Sequence, residues 1–144
     1  MTVLAGILAA YGMVYADVWL RARSAYQEGE KYLEWDRRPE LKAAYLDRVL
    51  VEKQTRLQGD WAARGITAVE LKERLALARF ERDEAIKESS LKYAYVWFQT
   101  AVELFSPPES RWVIRSRQRM AAAKELWKKE LDAQRIPHQD YMLE

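Results

Sequence analysis

The stretch that most restricts the fold of this chain is apolar and lies near its N-terminus. Residues 3–16, "VLAGILAAYGMVYA", are fourteen uncharged residues, or about 21 Å of helix at 1.5 Å per residue. Continuing past Asp17 to Leu20 gives about 27 Å, close to the roughly 30 Å hydrocarbon core of a bilayer. A helix that is apolar on every face needs either lipid or complete burial. The pattern therefore predicts a single transmembrane helix over residues 1–20.

Small and aromatic residues within this stretch add to the membrane interpretation. Small residues four apart allow helices in lipid to approach closely, and we expect this packing face to contain Ala5, Gly6, Ala9, Ala10, Gly12 and Ala16. Aromatic and basic residues mark the level of the lipid headgroups, and the predicted interface anchors are Tyr15, Trp19, Arg21 and Arg23.

Two other interpretations of the stretch stay open. A cleaved signal peptide would explain the small residues in "VYA" before Asp17, but such peptides normally begin with basic residues, and here none precedes the apolar run. A buried helix of a soluble protein would also fit fourteen apolar residues, provided that partner chains cover it.

The distribution of basic residues predicts the orientation of the helix. No Lys or Arg precedes the stretch, whereas Arg21, Arg23 and Lys31 follow it closely. By the positive-inside rule, the N-terminus lies outside and residues 21–144 lie in the cytoplasm.

The rest of the chain has the composition of an all-α protein, poor in Gly and Pro and rich in Ala, Leu, Glu, Lys and Arg. We expect the first helix to continue to about Trp35 and about four further helices to follow as a small bundle. The predicted organisation is an anchor at 1–20, a helical domain at 21–137 and a C-terminal tail at 138–144.

Several local signals predict helix boundaries. Pro39 suits the first position of a second helix, which we expect to run to about Leu57, with Gly59 as its stop. "TAVE" predicts a capping box at Thr67. "SPPE" predicts a second capping box in which Ser106 is the cap and Pro107 begins the fifth helix, which runs to about Gln134.

One short stretch resembles a known repeat family. The spacing of Ala94, Phe98, Ala101 and Pro107 resembles the second helix of a tetratricopeptide repeat. The likeness covers about fourteen residues, and no 34-residue period recurs elsewhere. It implies that this helix packs in a pair with its neighbour.

The residue types argue against catalysis and against a bound cofactor or metal. The chain has no cysteine and a single histidine, His138, which removes thiolate ligands and His-rich sites. Glycine-rich phosphate loops, Gly-x-Ser-x-Gly and His-Glu-x-x-His are all absent from the sequence. We expect a protein that is not an enzyme.

A basic segment is the remaining feature with a candidate ligand. Residues 111–129 contain seven basic residues against Glu125 alone, and one helical face would present Arg111, Arg115 and Arg119. Anionic lipid headgroups or an acidic partner subunit would suit this face, nucleic acid is less favoured, and a merely solvated face is the alternative.

Together these features predict a non-catalytic accessory subunit that braces or assembles other subunits of a membrane complex. The alternative is a soluble, tetratricopeptide-like adaptor whose first helix is buried against partner chains.

Overall fold

The described part of the chain consists of α-helices joined by short connecting segments. The computed structural model describes residues 2–139 and 143, with side chains from Gly6 onward, and these residues form no strand. The α-helices are α1 Thr2–Arg37, α2 Pro39–Ala62, α3 Ala68–Lys87, α4 Ser90–Leu104 and α5 Arg111–Ala133. The predicted all-α class, with four helices after the first, is confirmed.

The predicted transmembrane helix is not supported. Among the described residues, no helix has the length and hydropathy needed to cross a membrane. From Gly6 onward, the apolar run is interrupted by Asp17 and again by Arg21 and Arg23.

The helices divide into two compact units. The first combines the chain up to Asp36 with the chain from Ser89 onward, and the second is Arg37–Glu88. Unit 1 therefore contains nearly all of α1 together with α4 and α5, and unit 2 contains α2 and α3.

The core of unit 1 is built on α4. Phe98, Ala94 and Ala101 are completely buried in this helix, which packs against α5; the repeat-like spacing implied pairing with the preceding helix, α3, which belongs to unit 2. Leu33 of α1 and Ala123 of α5 belong to the same core.

Gly29 lets α1 approach α4 closely. A Cβ atom at this position would lie 2.5–2.8 Å from three ring carbons of Phe98. Tyr26, nearly one turn earlier, packs its ring against Phe98 at a centroid distance of 5.9 Å. The contact therefore depends on the missing side chain of Gly29.

Unit 2 is an antiparallel pair of helices joined by residues 63–67. Arg82 of α3 donates to Asp47 of α2 at 2.5 and 2.9 Å, and Lys53 of α2 pairs with Glu81 of α3. The buried Lys42 donates to the carbonyl oxygens of Ile86 and Glu88, at 3.2 and 2.6 Å. These carbonyls lie at the C-terminal end of α3, where backbone acceptors lack helical partners.

The predicted starts of α2 and α3 agree with the structure, whereas the predicted end of α2 and the predicted start of α5 differ from it. The capping box of Thr67 and Glu70 is present as predicted, and Pro39 begins α2 as predicted. However, α2 continues through Gly59 to Ala62.

The second predicted capping box is wrong. The N-cap of α5 is Ser110, whose hydroxyl accepts from the Val113 amide, and α5 begins at Arg111. Pro108 disfavours helical backbone at Pro107, so the helix cannot begin there. Ser106 instead donates to Glu109 at 3.3 Å.

Candidate functional site

The N-terminal part of α1 is an exposed apolar helix. Every described side chain from Gly6 to Ala16 is exposed, and Tyr11 and Leu8 expose 77% and 66% of their surface. We call residues 6–16 the apolar segment. Because its side chains are exposed around the whole circumference, it has no polar face toward water.

The small residues predicted to pack in lipid lie on this segment without a neighbour. A Cβ atom added at Gly6 or Gly12 would meet nothing within 4 Å. Ala9, Ala10 and Ala16 are exposed, and the side chain of Ala5 lies outside the described residues. Within the described chain, this face is therefore open to another helix.

At the base of the apolar segment, two tryptophans of unit 1 meet. Trp19 of α1 and Trp112 of α5 are in edge-to-face contact, with ring centroids 6.0 Å apart. Tyr26 lies on the other side of Trp112, at a centroid distance of 5.5 Å. Such aromatic pairs contribute about 0.5–1.5 kcal/mol each beyond their buried area.

Three arginines surround the ring of Trp112. Their guanidinium carbons lie 4.6 Å (Arg111), 5.5 Å (Arg115) and 5.9 Å (Arg23) from its centroid, within the range of cation–π contacts. Arg111 also lies 5.6 Å from the ring centroid of Trp19. We call Trp19, Arg23, Arg111, Trp112 and Arg115 the Trp–Arg cluster.

The other basic residues near this cluster have acidic partners. Arg21 pairs with Asp17 at 2.7 Å, Arg117 with Glu109 at 2.6 Å and Arg119 with Glu30 at 2.8 Å. In the described part of the chain, no hydrogen bond or ion pair joins Arg23, Arg111 or Arg115 to an acidic group.

The structure thus groups the predicted site residues differently from the sequence prediction. It brings the interface anchors Trp19 and Arg23 together with the basic residues Arg111 and Arg115, which the sequence left as two separate surfaces. Tyr15 is exposed, and Arg119 is engaged with α1. Trp112 stands at the centre of the site but was not predicted as a site residue. The repeated pattern of Trp close to Arg, in "WLRAR" and "RWVIR", is the signal that could have indicated it.

A groove opens beside the cluster on the surface of unit 1. Its volume is about 330 Å³, and its lining includes Tyr26, Arg115, Gln118 and Arg119. Arg119 is paired with Glu30, so Arg115 is the cationic side chain that an anionic group in this groove would meet.

Two carboxyl groups outside the cluster accept local hydrogen bonds. A hydrogen bond from the Thr67 amide lowers the pKa of Glu70, and one from Arg117 lowers the pKa of Glu109. No group of His, Cys, Asp and Glu side chains within the described residues could hold a metal ion. His138 lies 3.9 Å from Asp132.

Comparison with known proteins gives this chain no relative, since no protein-family model, curated protein or solved structure matches it.

Proposed function

We propose that this protein is a non-catalytic accessory subunit of a membrane protein complex, attached through the N-terminal part of α1. Unit 1 lies against the membrane at the Trp–Arg cluster, and the helical units brace or assemble neighbouring subunits. The observation that carries the proposal is the exposed apolar segment, which ends at a cluster of tryptophan and arginine.

The order of side chains along α1 supports membrane attachment. Apolar residues fill the segment to Ala16, Trp19 follows, and the exposed Arg21 and Arg23 come next. Tryptophan and arginine concentrate at the headgroup level of membranes, where the indole faces apolar chains and the guanidinium faces phosphate. In this arrangement the N-terminus lies outside and the helical units lie in the cytoplasm.

Two open surfaces support a role in assembly. The small residues at Gly6 and Gly12 would let a neighbouring transmembrane helix approach closely. In unit 2, α3 exposes Val69, Leu77 and Phe80, each by more than half of its surface. These apolar side chains are candidates for contact with partner subunits.

Alkaline carbonate extraction tests the attachment. In cells that make the protein, we expect the full chain to stay with the membrane pellet. A variant lacking residues 1–16 should appear in the supernatant, because it has lost the apolar segment. The Trp–Arg cluster, which this variant retains, should not hold it in the membrane under these conditions. Complete release of the full chain would refute membrane attachment.

A Gly6→Leu variant tests assembly separately from attachment. Added bulk excludes a close neighbour in lipid but does not reduce the apolar character of the helix. We expect the variant to stay in the carbonate pellet and to lose its partner subunits on native-mass analysis after detergent extraction. Ala121→Leu, on an exposed part of α5, is the matched control. Unchanged recovery of the complex with Gly6→Leu would refute the packing role.

A second candidate function is a soluble helical adaptor that buries the apolar segment against partner chains. The exposed side chains of the apolar segment favour it, because a partner chain could cover them as well as lipid could. This candidate predicts release by carbonate together with co-purifying partners, and loss of those partners when residues 1–16 are deleted.

A further inference from the structure

The three arginines of the Trp–Arg cluster form an uncompensated concentration of positive charge. Their guanidinium carbons all lie within 5.9 Å of one ring centroid. Charges this close repel one another, because their separations are no greater than about one Debye length, roughly 10 Å at 0.1 M salt. An anion held among them would relieve this repulsion.

Two further features of the start of α5 bear on this concentration of charge. Trp112 is nine-tenths buried, and its indole N–H has no hydrogen-bond partner within the described structure. Arg111 and Trp112 are also the first two residues of α5, a helix of 23 residues whose N-terminus favours negative charge. Both features add to the preference for an anion.

We propose that the Trp–Arg cluster binds the phosphate of an anionic phospholipid headgroup. Arg23, Arg111 and Arg115 supply the charge-assisted hydrogen bonds, and the adjoining groove accommodates the rest of the headgroup. Guanidinium groups suit this ligand because their planar donors match two phosphate oxygens at once.

The position of the cluster favours a lipid over a free anion. The apolar segment ends one turn before Trp19, so a membrane that receives this segment brings its headgroups to the level of Trp19 and Trp112. This inference rests on the proposed membrane attachment and adds a preference for the anionic lipid class.

Vesicle flotation with the full chain tests the proposal. One set of vesicles is pure phosphatidylcholine, and the other contains equal parts of phosphatidylcholine and phosphatidylglycerol. We expect binding to both, with the anionic vesicles bound about tenfold to a hundredfold more tightly, since each basic residue at such a surface contributes a several-fold factor. High salt should abolish the difference.

Three variants locate the effect. Replacing Arg23, Arg111 and Arg115 together by Gln should remove most of the preference for phosphatidylglycerol. Replacing them by Lys should restore only part of it, because lysine keeps the charge but lacks the paired planar donors. The matched control replaces Lys72, Arg79 and Lys129 by Gln, three exposed basic residues outside the cluster. It should retain the preference. Far-UV circular dichroism checks that each variant is folded.

Each outcome separates this inference from the proposed function. Equal binding to both vesicle types, or equal losses in the cluster and control variants, would refute headgroup binding and leave membrane attachment standing. Binding to neither vesicle type would refute both. The chain could also bind only the anionic vesicles and lose this binding in the Gln variant. That result would support the headgroup site and count against insertion of the apolar segment. Displacement from anionic vesicles by inorganic phosphate in the same assay would overturn the assignment to lipid.

Discussion

At the scale of single residues, Gly29 decides how closely α1 packs on α4. Glycine normally weakens a helix interior by about 0.5–1 kcal/mol relative to alanine. Here the ring of Phe98, which is completely buried, occupies the space that a Cβ atom would need. Phe98 cannot move aside without disturbing the rest of the core, because protein interiors are close-packed.

We therefore expect Gly29→Ala to destabilise the protein. Overpacking typically costs about 1–3 kcal/mol, and the gain in helix propensity offsets part of this cost. The net loss should be about 1–2 kcal/mol in urea denaturation. Gly59→Ala is the matched control, since a Cβ atom there meets nothing within 4 Å, and it should be neutral or stabilising. Equal effects of the two substitutions would contradict the close contact with Phe98.

At the scale of elements, the helix boundaries that depend on neighbouring residues could be predicted. The capping box at Thr67 forms between two residues three apart in the sequence. Pro39 favours a helix start through its own ring, which fixes its backbone conformation. The start of α5 was missed because two signals overlap: Ser106 and Ser110 can both cap, and only the restriction that Pro108 places on Pro107 decides between them.

The meeting of the two stretches that form the Trp–Arg cluster could not be predicted, because they are distant in the sequence. Trp19 and Trp112 lie on different helices, and their contact depends on how α1 packs against α5. The pairing of Arg119 with Glu30 could not be predicted for the same reason, because these residues also lie on α5 and α1. The sequence alone indicated the composition of the two surfaces, but their meeting is a property of tertiary packing.

The capping box makes one contribution to stability depend on pH. Hydrogen bonds from the amide and the hydroxyl of Thr67 lower the pKa of Glu70. A carboxyl whose pKa is lower in the folded state stabilises the fold above its unfolded pKa, and this contribution is lost as the pH falls through the folded pKa. Acid should therefore weaken the start of α3.

We expect Glu70→Gln to be less stable than the wild type near neutral pH, with the difference shrinking as the pH falls through the lowered pKa of Glu70. Urea denaturation across the acidic range measures this difference. Glu73→Gln removes a charge from the same helix outside the capping box and serves as the control. A difference for Glu70→Gln that does not change with pH would contradict the role of the ionised carboxylate.

At the scale of the whole molecule, the apolar segment contributes little to the fold. Its side chains are exposed, whereas the packed part of α1 begins with Trp19 and the buried Ala22. The proposed attachment and the folding of unit 1 thus depend on different stretches of one helix.

Two deletions test this separation. Removing residues 1–16 should change the free energy of unfolding by less than about 0.5 kcal/mol, as surface changes usually do. Removing residues 1–22 should cost more, because it also removes the contact of Trp19 with Trp112 and the buried Ala22. Thermal and urea denaturation followed by circular dichroism measure both. Similar losses for the two deletions would show that the apolar segment takes part in the fold.

The continuity of α1 has a mechanical consequence. The helix runs from Thr2 to Arg37 without a proline, the commonest cause of a sharp kink, and its length is about 54 Å at 1.5 Å per residue. A rod of this length transmits tilt, so a rotation of about 10° at the apolar end displaces the opposite end by about 9 Å. The angle at which the apolar segment enters its surroundings therefore fixes the orientation of unit 1, as a flexible tether would not.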